Sequence, residues 1–173
     1  MAHYSAALMA TQLLNETQIE NRIRRIAFQI YEDNFEADEI ILAGIVKGGY
    51  VLAAEIEKRL KEICEIKITL IEINLDKNSQ AQKPIQVALP NDYLQNKTVV
   101  IVDDVLNSGK TLTYAMLPFL NADVKKIRTV LLVDRDHKRY PVHADFVGFE
   151  LSTTLKEHVT VNLTPGNKRI MLS

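Results

Sequence analysis

Apolar residues along this chain alternate between two rhythms. Ile40-Ile41-Leu42-Ala43-Gly44-Ile45-Val46 is a short unbroken apolar run, the pattern of a strand buried on both faces. It stops at Lys47-Gly48-Gly49, after which Val51, Leu52, Ala54, Ile56 and Leu60 follow a helical pattern. Ile66 to Asn74 then reads as a second strand and Thr98 to Val102 as a third, ending in Asp103-Asp104. A helix through Leu112, Ala115, Met116 and Leu117 comes next, limited or kinked by Pro118. Ile127 to Val133 predicts a fourth strand, Asp145 to Phe149 a fifth, and the tail holds two short β-like runs, Val159 to Leu163 and Arg169 to Leu172. Ahead of all these, behind a loose N-terminus, Thr17-Gln18-Ile19-Glu20 reads as a capping box. The helix it opens carries its apolar stripe on Ile19, Ile23, Ile26, Ala27 and Ile30. Strand alternating with helix implies an α/β fold with a mostly parallel central sheet, right-handed crossovers and a ligand at the carboxyl ends of the strands. The polar stretch from Asp76 to Asp92, with two prolines and little periodicity, is the one long loop candidate.

Composition narrows the class without naming a function. A chain of 173 residues, 47% hydrophobic and 25% charged, suits one soluble domain, and nothing divides it into repeats or linkers. Twenty-one basic against 22 acidic side chains leave a net charge of −1, which argues against a dedicated nucleic-acid coat or a polybasic membrane binder. No apolar run approaches the roughly 18 residues of a membrane span, and a signal peptide is not evident. The single cysteine, Cys64, suits a reducing compartment, so the cytoplasm is the expected location.

Chemistry concentrates at the ends of two predicted strands. In Asp103-Asp104-Val105-Leu106-Asn107-Ser108-Gly109-Lys110-Thr111 a strand delivers two carboxylates, and a turn of small residues then opens a helix. Backbone N–H groups of such a turn, with the Ser108 and Thr111 hydroxyls, form an anion site that Gly109 lets close tightly. Carboxylates this near a phosphate must serve something else: sugar hydroxyls, a divalent cation or a developing positive charge. A ribose phosphate meets all these demands. A nucleotide P-loop would need glycine at the position of Asp104, and no G-x-G-x-x-G occurs among the six glycines. The plain alternative, that the aspartates only cap a turn, stands second. Lys47-Gly48-Gly49 reads as a second anion loop or as an ordinary turn with a solvated lysine. The presence of two such loops at one sheet edge favours a substrate with two separated phosphate groups.

Val99 to Thr111 resembles the phosphoribosyl pyrophosphate (PRPP) motif of type I phosphoribosyltransferases, and Val46-Lys47-Gly48-Gly49-Tyr50 resembles their pyrophosphate loop. Leu132 to His137, with Pro141, Ala144-Asp145 and Val147-Gly148, is similar to the group of the pyrimidine-operon regulator and uracil phosphoribosyltransferase. Phe146 to Glu150 is similar to hypoxanthine-guanine enzymes. The likeness runs from about residue 20 to 165 and implies a single domain over residues 1–173, with a lid at about 76–92 and a hood at about 150–173. It implies that Asp103 and Asp104 hold the ribose hydroxyls, directly or through Mg²⁺. Asn107, Ser108, Gly109, Lys110 and Thr111 would cradle the 5′-phosphate, and Lys47, Gly48 and Gly49 the pyrophosphate. Asp103, Asp104 and Asn107 are the expected catalytic set, with Asp134, Arg135 and Leu155 at the base.

The implied reaction displaces pyrophosphate at C1′ by a ring nitrogen of a nucleobase, uracil first. The alternatives are a PRPP- or nucleotide-sensing regulator that binds RNA, a purine enzyme, and a remnant of the fold without ligand. A homodimer or higher homo-oligomer is the implied assembly. Several positions depart from the purine pattern: Asn107 is an amide where many purine enzymes have an acid, Asp134 stands in place of a lysine, Leu155 replaces a stacking aromatic, and the lid lacks arginine. Cys64 reads as a small core residue and His137, His143 and His158 as ordinary histidines, His137 with a lesser role in the base pocket. The groups Lys125-Lys126-Arg128 and Arg135-Lys138-Arg139 read as solvated faces, with RNA contact the lesser expectation.

Overall fold

The computed structural model describes residues 10–75, 85, 87–154 and 157–173. The chain runs through β1 (Thr11–Leu14), α1 (Glu16–Asp33), β2 (Glu39–Ile45), α2 (Gly48–Ile63), β3 (Lys67–Ile73) and α3 (Asn91–Leu94). It continues through β4 (Thr98–Leu106), α4 (Lys110–Asn121), β5 (Lys126–Asp134), β6 (Phe146–Glu150), β7 (Val159–Asn162) and β8 (Arg169–Leu172). Five strands form a wholly parallel sheet in the order β3-β2-β4-β5-β6, and β1-β8-β7 form a small antiparallel sheet. Among the described residues no helix is long and apolar enough to cross a membrane.

The large sheet is covered on both faces, which is why its central strands read as unbroken apolar runs. Ile40 and Leu42 of β2 and Val100 and Val102 of β4 face the stripe of α1 and the Leu52, Ala53, Ile56 and Leu60 face of α2. Their neighbours in sequence, Ile41, Ala43, Val99 and Ile101, face Leu112, Ala115 and Phe119 of α4 on the opposite side. Each such aliphatic side chain, fully removed from water, contributes about 1.5–3 kcal/mol before entropy is set against it. Val51, expected within the buried stripe of α2, is instead 45% exposed.

Several local expectations change. Asn15, not Thr17, caps α1: its side chain accepts from Gln18 N at 3.0 Å, and the Gln18 side chain accepts from Asn15 N at 2.9 Å. The same reciprocal logic applies two residues earlier, with an amide pair in place of hydroxyl and carboxylate. The N-terminal segment, expected to be loose, includes β1. Pro118 does not end α4, which runs to Asn121. Strands β4 and β5 extend to Leu106 and Asp134, so Asp103, Asp104 and Asp134 belong to the strands themselves. The hood is also not purely C-terminal, because β1 completes its sheet. Of the expected lid, residues 76–84 and 86 lie outside the described residues, while Asn91 begins the short α3.

Charged groups fasten the layers. Lys168, its side chain 4% exposed, joins the hood to α1 and α2 through Glu20 (3.2 Å) and Glu55 (2.9 Å). At the opposite end of the sheet Glu39 accepts from Thr69 Oγ1 at 2.6 Å and Tyr93 OH at 2.8 Å, and pairs with Lys67 and Lys97, each at 3.0 Å. Burial alone would raise the Glu39 pKa; the four bonds outweigh it and hold the carboxyl at about 2, against an ordinary 4.5. A depressed carboxylate contributes stability that is complete above its unfolded value and is lost as pH falls through its folded one. Glu39→Gln is therefore expected to cost about 2–3 kcal/mol at neutral pH. Urea unfolding at a series of pH values should show less acid destabilisation between pH 4.5 and 2 in the variant than in the parent chain.

Candidate active site

At the carboxyl edge of the sheet, β2 and β4 are hydrogen-bonded neighbours, with Gly44 opposite Val102. The loops leaving these two strands are therefore forced against each other. A Cβ on Gly48 would fall on the Asp104 carboxylate, and one on Gly49 would strike the Val102 carbonyl and the Asp103 backbone. Glycine is required here by close approach rather than by an unusual φ. The Val46–Lys47 peptide is cis. Lys47 caps α2 with no side-chain hydrogen bond, and a helix start of this kind leaves its first N–H groups directed outward toward an anion.

The acid pair sits near the carboxyl end of β4. Asp103 is 3% exposed and accepts from Asp104 N at 3.1 Å, while Asp104 accepts from Val105 N at 2.9 Å. Beyond them Ser108 Oγ accepts from Lys110 N at 3.3 Å, and Gly109 takes φ +83° to start α4. That positive φ is a conformation a side chain would strain, and Val142 Cγ1 lies against the position a Cβ would occupy. The segment after β5 backs the turn from outside, with Arg139 N and Tyr140 N donating to the Ser108 carbonyl at 2.8 and 3.1 Å. Neither Tyr140 nor Val142 was singled out from sequence, where their neighbour Pro141 entered only through the family resemblance.

A cavity of about 620 Å³ opens between Lys47, Gly48, Val51 and Asp104 on one wall and Thr160–Pro165 of the hood on the other. The sequence marked Val159 to Leu163 as a β-like run within the hood but did not single out its residues as a wall facing Lys47 and Asp104. Of the residues expected at the base, Asp134 pairs with Lys138 at 2.9 Å and accepts from Asp136 N at 3.0 Å. It lines a second cavity of about 530 Å³ with His143, Glu150 and Ser152, which shares no lining residue with the first. Arg135 is buried beside Asn107, donating to its Oδ1 at 2.7 Å. Leu155 lies outside the described residues. The structure thus brings the acid pair, the turn from Asn107 to Thr111 and the Lys47–Gly49 loop to one edge, with Arg135 behind Asn107. It turns Asp134 toward a different hollow. Among the described residues no three His, Cys, Asp or Glu side chains gather to hold a metal by themselves.

Fold and edge define an α/β domain whose loops meet at the carboxyl ends of parallel strands, beside a small antiparallel sheet. The chain belongs to the phosphoribosyl transferase domain family, which matches residues 9–164. Among curated relatives, the protein named bifunctional protein PyrR of Haemophilus ducreyi is 33% identical over 156 residues, spanning 86% of this chain and 87% of the relative. The protein of the same name from Corynebacterium glutamicum is 35% identical over 164 residues, spanning 88% and 85%. The fold is similar to that of a hypoxanthine-guanine phosphoribosyltransferase from Bacillus anthracis, with a TM-score of 0.75 at 21% identity over 94% of this chain and 96% of that one. It is equally similar to the hypoxanthine phosphoribosyltransferase of Trypanosoma cruzi, with a TM-score of 0.76 at 19% identity over 94% and 95%.

The two glycines separate stability from function. Gly48→Ala meets only the end of a carboxylate side chain, so the variant should melt near the parent chain while its PRPP affinity falls at least about tenfold. Gly49→Ala meets backbone and should lose about 1–3 kcal/mol of stability. Thermal unfolding with a PRPP titration reads both outcomes.

Proposed function

We propose that this phosphoribosyltransferase transfers the 5-phosphoribosyl group from PRPP to uracil and releases pyrophosphate. The observation that carries the reading is the seating of Gly48 and Gly49 directly on Asp103 and Asp104, with the Ser108–Thr111 turn alongside. One substrate bearing a diphosphate, a diol and a monophosphate in that order matches these three features. The N–H groups at the start of α2 and the Lys47 ammonium would bind the pyrophosphate; the turn before α4 would bind the 5′-phosphate. Asp103 and Asp104 would orient the ribose hydroxyls and favour the positive charge that develops on the sugar as the C1′–O bond breaks. Their hard oxygen donors, without an all-protein cage, fit a Mg²⁺ ion that keeps most of its coordination on water and substrate phosphate. When bound, that ion would neutralise the departing pyrophosphate.

Displacement places the incoming base across the ribose from the leaving group. The sheet order β2-β4-β5 has the Lys47–Gly49 loop on one side of the acid pair, so the base would lie on the β5 side, beside Asn107. An amide cannot serve as a general base near neutral pH, so Asn107 would orient the base through hydrogen bonds. A homodimer remains the proposed assembly.

The relatives' designation as bifunctional favours one second reading, a nucleotide-sensing regulator that binds RNA. The basic groups singled out for such contact are largely committed within the chain. Lys126 and Arg128 pair with Asp33 at 2.9 and 3.0 Å, Lys138 pairs with Asp134, and Arg135 is buried. The transferase reading therefore comes first.

Pyrophosphate release should be measured with PRPP, Mg²⁺ and each of uracil, hypoxanthine, guanine, xanthine, adenine and orotate. Release with uracil above all others is expected. Asp103→Asn combined with Asp104→Asn should abolish it, by at least about a thousandfold, with the fold retained. Undiminished turnover in that variant would remove the acid pair from the mechanism. PRPP binding without release for any base would move the regulator reading to the front, and RNA binding that weakens steeply with salt would support it.

A further inference from the structure

Arg135 follows the last residue of β5 and is only 8% exposed. Its guanidinium is spent on two places that are distant in sequence. Nη1 donates to Asn107 Oδ1 at 2.7 Å. Nε and Nη2 donate to Thr153 Oγ1 at 3.2 and 3.0 Å, and Nη2 also donates to the Glu157 carbonyl. Each nitrogen of this buried guanidinium is engaged within the chain, so its influence on the site passes through what it holds.

What it holds has a defined polarity. Guanidinium has donors and no acceptor, so it can meet only the carbonyl end of the Asn107 amide. The amide NH₂ is then turned away from Arg135. It finds no acceptor among the described residues, and Asn107 is exposed at the point where β4 passes into the phosphate-type turn. This is the side of the acid pair opposite the Lys47–Gly49 loop, where displacement requires the base to lie.

We propose that Arg135 is a positioning residue that fixes Asn107 as a hydrogen-bond donor toward the base. The site then selects bases presenting a carbonyl oxygen to that NH₂, and the same guanidinium keeps the hood segment around Thr153 and Glu157 in register with it. The proposal rests on the transferase reading above and adds the specificity element that reading lacks.

The test uses the full chain, PRPP and Mg²⁺, with uracil against 2-thiouracil and 4-thiouracil. Sulfur preserves the ring but accepts hydrogen bonds weakly. The parent chain should lose about tenfold in kcat/KM on the analogue whose sulfur meets Asn107, the worth of one net hydrogen bond. In Asn107→Ala that discrimination should vanish. Arg135→Gln should lose it equally, because the freed amide can rotate; Arg135→Lys, retaining a cation and a donor, should restore part of it. The double variant should discriminate no less than either single one.

A merely structural arginine would lower stability and leave the oxo-to-thio ratio unchanged. That result overturns the proposal, as does equal handling of oxygen and sulfur by the parent chain. If Arg135→Gln fails to fold, Asn107→Asp decides. It keeps a partner for Arg135 but turns an acceptor outward, so uracil turnover should fall at least about tenfold with no loss of melting temperature. Parent-like turnover there also overturns the proposal. Absence of pyrophosphate release with every base, together with no binding of uridine monophosphate, would instead overturn the transferase reading and this inference with it.

Discussion

The structure depends on a contact in which no side chain can intervene: the backbone of Gly48 and Gly49 laid on the acid pair of the neighbouring strand. This contact exists because β2 and β4 are adjacent although α2 and β3 separate them in sequence. The chain leaves β2 toward β3 on one side and returns to place β4 on the other. At that reversal α2 covers one face of the sheet and α4 the opposite face, so the two helix starts diverge and leave a crevice between them. Every group assigned to substrate is supplied by the loops bordering this crevice, the strand ends beneath it, or the hood across it.

Buried charge does a second kind of work. Lys168, Glu39 and Arg135 each take several partners from different elements, and each sits at a boundary: hood to helices, β2 to β3 and the α3 turn, and β5 to turn and hood. Buried charges held in this way add little net stability compared with apolar packing, but a displaced partner would leave a charge stranded out of water. They therefore specify arrangement more than they strengthen it. This also explains why a chain with 21 basic side chains has few available in the places where the sequence suggested a basic face.

What could be read in advance follows from where the information is local. The apolar runs of β2, β4 and β5 announced a sheet covered on both faces, and the sequence from Asp103 to Thr111 announced a strand end, a glycine turn and a helix start within one contiguous stretch. The four-residue β1 was not readable, because its partner β8 lies at the other end of the chain and so short an edge strand has no period of its own. The sequence ended β4 at Asp103-Asp104 and β5 at Val133, short of Leu106 and Asp134, because polar side chains interrupt an apolar run without ending the ladder. The position of Val51 on the cleft wall and the burial of Arg135 depend on the hood and on neighbours 18 to 28 residues away, which no window along the sequence contains. Asp134 was assigned to the base because it stands where purine enzymes have a lysine; its carboxylate instead pairs with Lys138 and lines a separate cavity.

The hood sheet has one further consequence, for the order in which the molecule can assemble. β8 is the middle strand, and neither β1 nor β7 pairs with the other. Strand β1 has no ladder partner until residues 169–172 have been made. The parallel sheet can condense before then, since its five strands all precede β7. The cap over its carboxyl edge is thus a late, long-range event with a high loop-closure cost. During synthesis the chain would pass through a stage in which the acid pair and the Gly109 turn are formed but stand open to water, and are covered only when β1 and β8 pair.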